Sequence, residues 1–138
     1  MDDQKTVLLV EDDPVMRDLI SLVITQQYQK SIEILTADNG EAALDMIQTG
    51  KPELVILDIL LPKMNGLQLL QQLKNKQLLE QTKIIMISAL GFQEVVQQVM
   101  DSGVKDFLVK PFKVEELIER AGHFLKLPAL ATHLQIAS

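Results

Sequence analysis

The apolar residues of this chain fall into short continuous runs, separated by longer stretches in which apolar positions recur at helical spacing. The central run, Leu54–Asp58, has four consecutive apolar residues and ends in a carboxylate. It is short, it follows Lys51-Pro52, and two of its positions are β-branched. These features favour a strand that is buried on both faces, as in a parallel sheet.

Similar runs predict four further strands, over Thr6–Val10, Ile32–Thr36, Lys83–Ser88 and Val104–Val109. Helical spacing predicts a helix after each strand: Val15–Gln27, Glu41–Gln48, one from Asn65 or Gly66 onward, Phe92–Met100 and Val114–Leu125. In the first of these helices, we expect Val15, Leu19, Leu22 and Val23 to form the apolar stripe, with Met16 and Ile20 widening it.

Regular alternation of strand and helix with short links predicts the α/β class, as a doubly wound parallel sheet with helices on both faces. The pattern occupies residues 1–127, which we expect to form one domain. Residues 128–138 have no place in the pattern. They are interpreted as a C-terminal tail or as the stub of a linker.

Composition narrows the class of protein. Apolar residues make up 47% of the 138 residues, enough for a core, yet no apolar run approaches the ~20 residues that span a bilayer. The polar, acidic N-terminus is unlike a signal peptide, and there are no cysteines, so a cytoplasmic protein without membrane contact is expected. The net charge of −6 argues against direct nucleic-acid binding by this domain.

Polar residues gather at the predicted carboxyl ends of the strands, which meet at one edge of a parallel sheet. They are Glu11, Asp12, Asp13, Asp58, Ser88 and Lys110. Each alone has a simpler explanation as a helix cap, a turn residue or a solvated side chain. Together they predict a cluster of carboxylates suited to Mg²⁺, beside a lysine and a hydroxyl. A carboxylate in such a site can accept a phosphoryl group.

Four motifs carry a resemblance to a known family: Val10–Pro14 followed by Arg17, Leu57-Asp58 followed by Pro62 and Gly66, Ser88-Ala89, and Lys110-Pro111-Phe112. With these motifs the chain resembles the receiver domains of two-component response regulators, including chemotaxis regulators, from about Lys5 to Lys126. The intervals of 30 residues from Asp58 to Ser88 and 22 from Ser88 to Lys110 are similar to those of the family.

The resemblance implies a flavodoxin-like strand order, 2-1-3-4-5, and a site in which Asp58 is the phosphoacceptor. Counting back from Arg17, the family's acidic pair corresponds to Glu11 and Asp12, which leaves Asp13 as a helix cap. Asp12 and Asp58 would then bind Mg²⁺ directly, together with the backbone carbonyl of Leu60, while Glu11 would act through water.

Further roles follow from the same resemblance. Lys110 would pair with the phosphoryl group, with Lys110-Pro111 as a cis peptide. Ser88 and Phe107 would be the switch residues that reshape the face made by the fourth helix, fifth strand and fifth helix, although Phe107 could also be an ordinary core aromatic. Leu60 and Leu90 are apolar where many relatives carry polar side chains, which predicts slow hydrolysis of the Asp58 phosphate.

The implied partners are a sensor histidine kinase or phosphotransfer protein and a downstream effector protein or domain. A homodimer is a further expectation, because Asp106, Glu116 and Arg120 resemble charges used by transcription-factor receivers, although they could equally be solvated.

The domain would be a regulatory phosphoacceptor rather than an enzyme, although it would assist its own phosphorylation and dephosphorylation. A hydrolase with an aspartyl-phosphate intermediate lacks its second acid, since Leu60 occupies that position. The remaining alternative is a receiver-like interaction module that works without phosphorylation.

Overall fold

Strands and helices alternate along residues 4–127, the part of the chain that the computed structural model describes. The strands are β1 (Lys5–Val10), β2 (Ile32–Ala37), β3 (Leu54–Asp58), β4 (Ile84–Ser88) and β5 (Asp106–Val109). The helices are α1 (Pro14–Tyr28), α2 (Gly40–Gly50), α3 (Gly66–Asn75), α4 (Gln93–Asp101) and α5 (Val114–Leu125). Short 3₁₀ turns at Gln29–Ser31 and Leu79–Gln81 lead into β2 and β4.

The five strands form one parallel sheet in the order β2-β1-β3-β4-β5, which confirms the predicted fold class. β3 lies at the centre, and all five of its residues are buried. In register, Asp58 pairs with Ile87 of β4, and Ser88 pairs with Val109 of β5. The carboxyl ends of these strands therefore lie side by side, with Lys110 directly after the last of them.

Two apolar clusters cover the two faces of the sheet. On one face, side chains such as Leu57 and Met86 pack against Ala43 of α2, Leu69 of α3 and Val99 of α4. On the other face, a second cluster joins the sheet to α1 and α5. Because strand side chains alternate between the faces, each strand contributes to both layers, as the continuous apolar runs predicted.

The predicted apolar stripe of α1 is confirmed at Ile20, which is buried, and partly at Met16, but it is wrong for three of its six residues. Val15, Leu19 and Leu22 are 75%, 47% and 55% exposed, and Val23 is partly buried. Besides Ile20, the helix buries Ile24, Gln27 and Tyr28, which were not part of the predicted stripe. Apolar residues occur on more than one side of α1, so their spacing alone did not identify the side that faces the sheet.

Helix α1 also continues one residue beyond its predicted end, through Tyr28, which was expected in a loop. The Tyr28 hydroxyl donates a hydrogen bond of 2.7 Å to the backbone oxygen of Ile118 in α5, and the ring is buried. Gly122 lies against the same hydroxyl, and a Cβ built at Gly122 would be only 2.2 Å from that oxygen. These contacts define the α1–α5 seam, formed by Tyr28, Ile118 and Gly122.

Other boundaries differ from the prediction by a few residues. α2 begins and ends slightly outside Glu41–Gln48, and β5 begins at Asp106 rather than Val104. The predicted tail, residues 128–138, lies outside the described residues. Among the residues that are described, no helix combines the length and apolar character needed to cross a bilayer.

Candidate functional site

The loop after β1 fixes its acidic residues by a set of short polar contacts. Asp13 caps α1, as predicted, because its carboxylate accepts a hydrogen bond from the Val15 amide at 3.0 Å. Arg17 in the first turns of α1 donates to the backbone oxygen of Glu11 at 2.9 Å. The Glu11 carboxylate is buried and accepts from the Asp13 amide at 3.2 Å. With Asp13 acting as the cap, Glu11 and Asp12 are the acids available to the sheet edge.

Asp58 ends the central strand, and its side chain is buried at the carboxyl edge of the sheet. Its Oδ1 accepts a hydrogen bond of 3.2 Å from the Leu60 amide. Helix α3 begins directly against the Asp58 backbone, and a Cβ on Gly66 would lie 2.5 Å from the Asp58 carbonyl oxygen. Glycine at position 66 therefore permits the close approach that keeps the loop after Asp58 short.

Lys110 connects the two acidic segments. Its Nζ lies 2.8 Å from Glu11 Oε1 and 2.8 Å from Asp58 Oδ2, so one ammonium group binds a carboxylate of the loop after β1 and the carboxylate that ends β3. The peptide bond between Lys110 and Pro111 is cis, as the sequence predicted. Glu11, Asp12, Asp58 and Lys110 together are called the acidic cleft below.

The charges of the acidic cleft shift the pKa values of two groups. Burial raises the pKa of Glu11, and the nearby charge of Asp58 raises it further, while the hydrogen bond from Lys110 only partly offsets both effects. For Lys110, burial lowers the pKa, but hydrogen bonds to Asp58 and Glu11 outweigh it and raise the pKa overall. Lys110 is therefore charged at neutral pH, and the ionised form of Glu11 is disfavoured in the cleft.

The residues present fit a hard divalent cation. Glu11, Asp12 and Asp58 each offer a carboxylate oxygen, and these oxygens all lie within 4.8 Å of one another. Asp12 is exposed, whereas the other two are buried, so the cluster opens to solvent on one side. Oxygen ligands without histidine or cysteine are typical of Mg²⁺. Added positive charge would also relieve the unfavourable ionisation of Glu11.

The two predicted switch residues lie on the strands beside Asp58. Ser88 is buried at the end of β4, and its Oγ accepts a hydrogen bond from the Leu90 amide at 3.1 Å. Phe107 pairs in register with Met86, two residues before Ser88, so Phe107 and Ser88 lie on the same face of the sheet. Phe107 is partly buried and packs against the cluster that contains Met86.

Outside the acidic cleft, the structure pairs two of the charges that were expected either to mediate dimerisation or to be solvated. Arg120 Nη1 of α5 lies 2.6 Å from Asp106 Oδ1 of β5, and both side chains are partly exposed.

Sequence reasoning also missed Gly40, which lies against the loop after β3. No local pattern signals that contact, because it joins segments that are distant in sequence.

A sequence profile described as the response regulator receiver domain matches residues 7–122. The chain belongs to this family, whose members are regulatory phosphoacceptor domains of two-component systems. The chemotaxis protein CheY of Bacillus subtilis (strain 168) is 35% identical over 114 residues, covering 82% of this chain and 91% of CheY. The phosphate regulon transcriptional regulatory protein PhoB of Pseudomonas aeruginosa is 34% identical over 116 residues, covering 84% of this chain and 49% of PhoB.

Solved structures agree with the family. The receiver domain of the Francisella response regulator 1452 has a TM-score of 0.76 and 29% identity, covering 89% of this chain and 98% of that structure. A DNA-binding response regulator of the LuxR family from Staphylococcus aureus has a TM-score of 0.77 and 27% identity, with coverages of 88% and 98%. The matched part of this chain spans only 48–54% of the length of four curated relatives.

Proposed function

We propose that this domain accepts a phosphoryl group on Asp58 from a sensor histidine kinase or a histidine phosphotransfer protein. The observation that carries the proposal is the convergence of Glu11, Asp12 and Asp58 on one cleft, with Lys110 bonded to two of them. An oxygen of the Asp58 carboxylate forms the new bond to phosphorus. The bond from phosphorus to the donor nitrogen breaks, and the histidine leaves.

The residues of the cleft have distinct roles in this proposal. Asp12, Asp58 and the Leu60 carbonyl would hold Mg²⁺ directly, and Glu11 would hold it through water. Bound Mg²⁺ would supply positive charge to the phosphoryl oxygens during transfer. The Lys110 ammonium, already 2.8 Å from Asp58, would move its contact onto a phosphoryl oxygen. The Ser88 hydroxyl would donate to another phosphoryl oxygen, giving up its bond with the Leu90 amide.

The signal in this proposal is a shift between two arrangements of the face formed by α4, β5 and α5. Movement of Ser88 towards the phosphoryl group would open space on the sheet face that Phe107 shares. Phe107 is only partly buried, so an inward rotation would bury more of its ring. A downstream effector protein or domain would recognise the changed face, and a second copy of the chain is a further candidate partner.

Several broader features belong to the same proposal. The domain would occupy residues 1–127, and it would work in the cytoplasm, in keeping with the absence of cysteine from the chain. Direct binding of nucleic acid by this domain is not part of the proposal, because the net charge is −6. Any output on DNA would come through a partner or another domain.

Incubation with Mg²⁺ and a small phosphodonor, followed by intact-protein mass spectrometry, tests the proposal. The expected result is a mass gain of one phosphoryl group in the wild type and none in Asp58→Asn, which keeps the size of the side chain. Omission of Mg²⁺ should also prevent the gain. If the wild type gains no mass while remaining folded, the phosphoacceptor role fails and the phosphorylation-independent interaction module becomes the better explanation.

A further inference from the structure

The turn between β2 and α2, Ala37–Gly40, touches both loops that carry the predicted Mg²⁺ ligands. At one end, the Ala37 carbonyl accepts a hydrogen bond of 3.0 Å from the Glu11 amide. At the other end, Gly40 is buried against the loop after β3, and its amide lies 3.5 Å from the Pro62 carbonyl. The turn therefore bridges the acidic loop and the loop that follows Asp58.

The contact at Gly40 leaves no room for a side chain. A Cβ at position 40 would lie 1.9 Å from the Met64 carbonyl oxygen and 2.7 Å from both the carbonyl carbon and the Cβ of Met64. Two of these three atoms are backbone, so rotation of the Met64 side chain cannot make space. Any residue larger than glycine must move either the start of α2 or the loop that contains Met64.

Both sides of this contact are anchored. The start of α2 is fixed by its cap, since Asn39 Oδ1 accepts from the Ala42 amide at 2.8 Å, and Ala43 is fully buried. The opposing loop is folded back on the Ile59 carbonyl, which accepts from the amides of Leu61 at 3.0 Å and Gly66 at 2.8 Å. Displacement of either side would disturb the contact by which the turn joins the acidic loop to the loop after Asp58.

We propose that the Ala37–Gly40 turn sets the spacing of the two ligand-bearing loops, and that Gly40 is a positioning residue for the Mg²⁺ site. This inference rests on the proposed function, because it takes the ligands to be Glu11, Asp12, Asp58 and the Leu60 carbonyl. Mg²⁺ requires nearly ideal octahedral geometry with short bonds, so a small change in loop spacing weakens its binding.

A pair of glycine substitutions on the same helix tests the inference. Gly40→Ala adds a methyl group at the crowded contact, whereas Gly50→Ala adds one at the other end of α2, where nothing lies within 4 Å of the new atom. Calorimetric titration with Mg²⁺ should give a dissociation constant raised about tenfold or more in Gly40→Ala, as for other groups that orient metal ligands. Gly50→Ala should bind as the wild type does.

Thermal unfolding without metal separates positioning from general damage. A merely structural glycine would lower the melting temperature of Gly40→Ala while leaving the Mg²⁺ affinity of the folded protein unchanged, and that result would overturn the inference. If the wild type accepts phosphate and binds Mg²⁺ but Gly40→Ala binds it equally well, only the spacing role fails. If the wild type binds no Mg²⁺, the proposed metal site fails and this inference fails with it.

A measurement on the wild type covers the case in which Gly40→Ala does not fold. Coupling between the turn and the metal is reciprocal, so Mg²⁺ binding should slow hydrogen exchange at the amides of Gly40 and Ala42. The Lys51 amide, bonded to the Ile47 carbonyl at the far end of α2, serves as the control and should not change. Equal exchange at Gly40 and Ala42 with and without Mg²⁺ would overturn the inference.

Discussion

The acidic cleft and the α1–α5 seam are each closed by a polar contact, but the contacts differ in kind. In the cleft, the Lys110 ammonium holds two carboxylates, and burial works against the charge on Glu11. In the seam, the neutral hydroxyl of Tyr28 donates to the Ile118 carbonyl, in apolar surroundings. Under the proposed function, Lys110 would exchange a carboxylate for a phosphoryl oxygen, whereas the proposal involves no change at the Tyr28 contact. The cleft lies beside the N-terminal end of α1, and the seam lies at its C-terminal end.

The largest expected effect is that of Lys110→Met, which removes the ammonium but keeps most of the stem. In metal-free buffer at neutral pH, the free energy of unfolding should fall by about 2–3 kcal/mol, because Glu11 and Asp58 lose their shared cation. This value allows for the partial exposure of Lys110. Urea denaturation measures it, and millimolar Mg²⁺ should recover part of the loss.

Lys113→Met is the matched control, since Lys113 is an exposed lysine nearby, and its effect should stay within about 0.5 kcal/mol. Equal losses in the two variants would mean that the ion pairs of Lys110 add no specific stability. A loss at Lys110 that Mg²⁺ does not reduce would mean that the cleft is structural and does not bind the metal.

The second-largest expected effect is on the rate at which the Asp58 phosphate is hydrolysed. Leu60 is 50% exposed, and Leu90 is partly buried against the edge of the apolar cluster, so thermal unfolding must first show that the variant is folded. The double variant Leu60→Asn, Leu90→Glu should lose its Asp58 phosphate about tenfold faster in Mg²⁺, because polar groups there can orient an attacking water. Intact mass followed over time after removal of the donor measures the rate.

Leu22→Asn is the control for this pair, because Leu22 has similar exposure but lies in α1, outside the acidic cleft. It should leave the rate of phosphate loss unchanged. The hypothesis of slow hydrolysis fails if the double variant also keeps the wild-type rate.

The smallest expected effect is that of Tyr28→Phe, which removes only the hydroxyl of the seam. The free energy of unfolding should fall by about 1 kcal/mol, the usual net contribution of one intramolecular hydrogen bond. Phosphorylation of Asp58 and affinity for Mg²⁺ should not change, and calorimetric titration checks the latter. A weaker metal site in this variant would contradict the separation of the two regions.

The fold could be predicted because the dominant patterns were local. The run Leu54–Asp58 is apolar throughout and is buried throughout, and the strand ends carried the acids that the structure brings together. Parallel strands place their carboxyl ends at one edge whatever their side chains, so clustering of Glu11, Asp12 and Asp58 followed from topology. The motifs that resemble the receiver family gave the strand order.

The remaining features depend on packing between distant segments. Apolar residues lie on more than one side of α1, so their spacing does not identify the side that is buried. Val15, Leu19 and Leu22 are exposed because of how α1 docks on the sheet. Tyr28 is buried where α1 packs against α5, and its hydroxyl binds a carbonyl 90 residues later in the chain. The role inferred for Gly40 depends on its distance from Met64, which no spacing in the sequence reveals.

The ion pair between Asp106 and Arg120 has a consequence for self-association. Each side chain already satisfies the other within a single molecule, so a second copy that recruited either one would first have to separate them. For a partly exposed pair, that separation costs about 1 kcal/mol or less. Assembly on this face would therefore exchange an internal partner for an external one, and its strength would have to come from the surrounding apolar contacts.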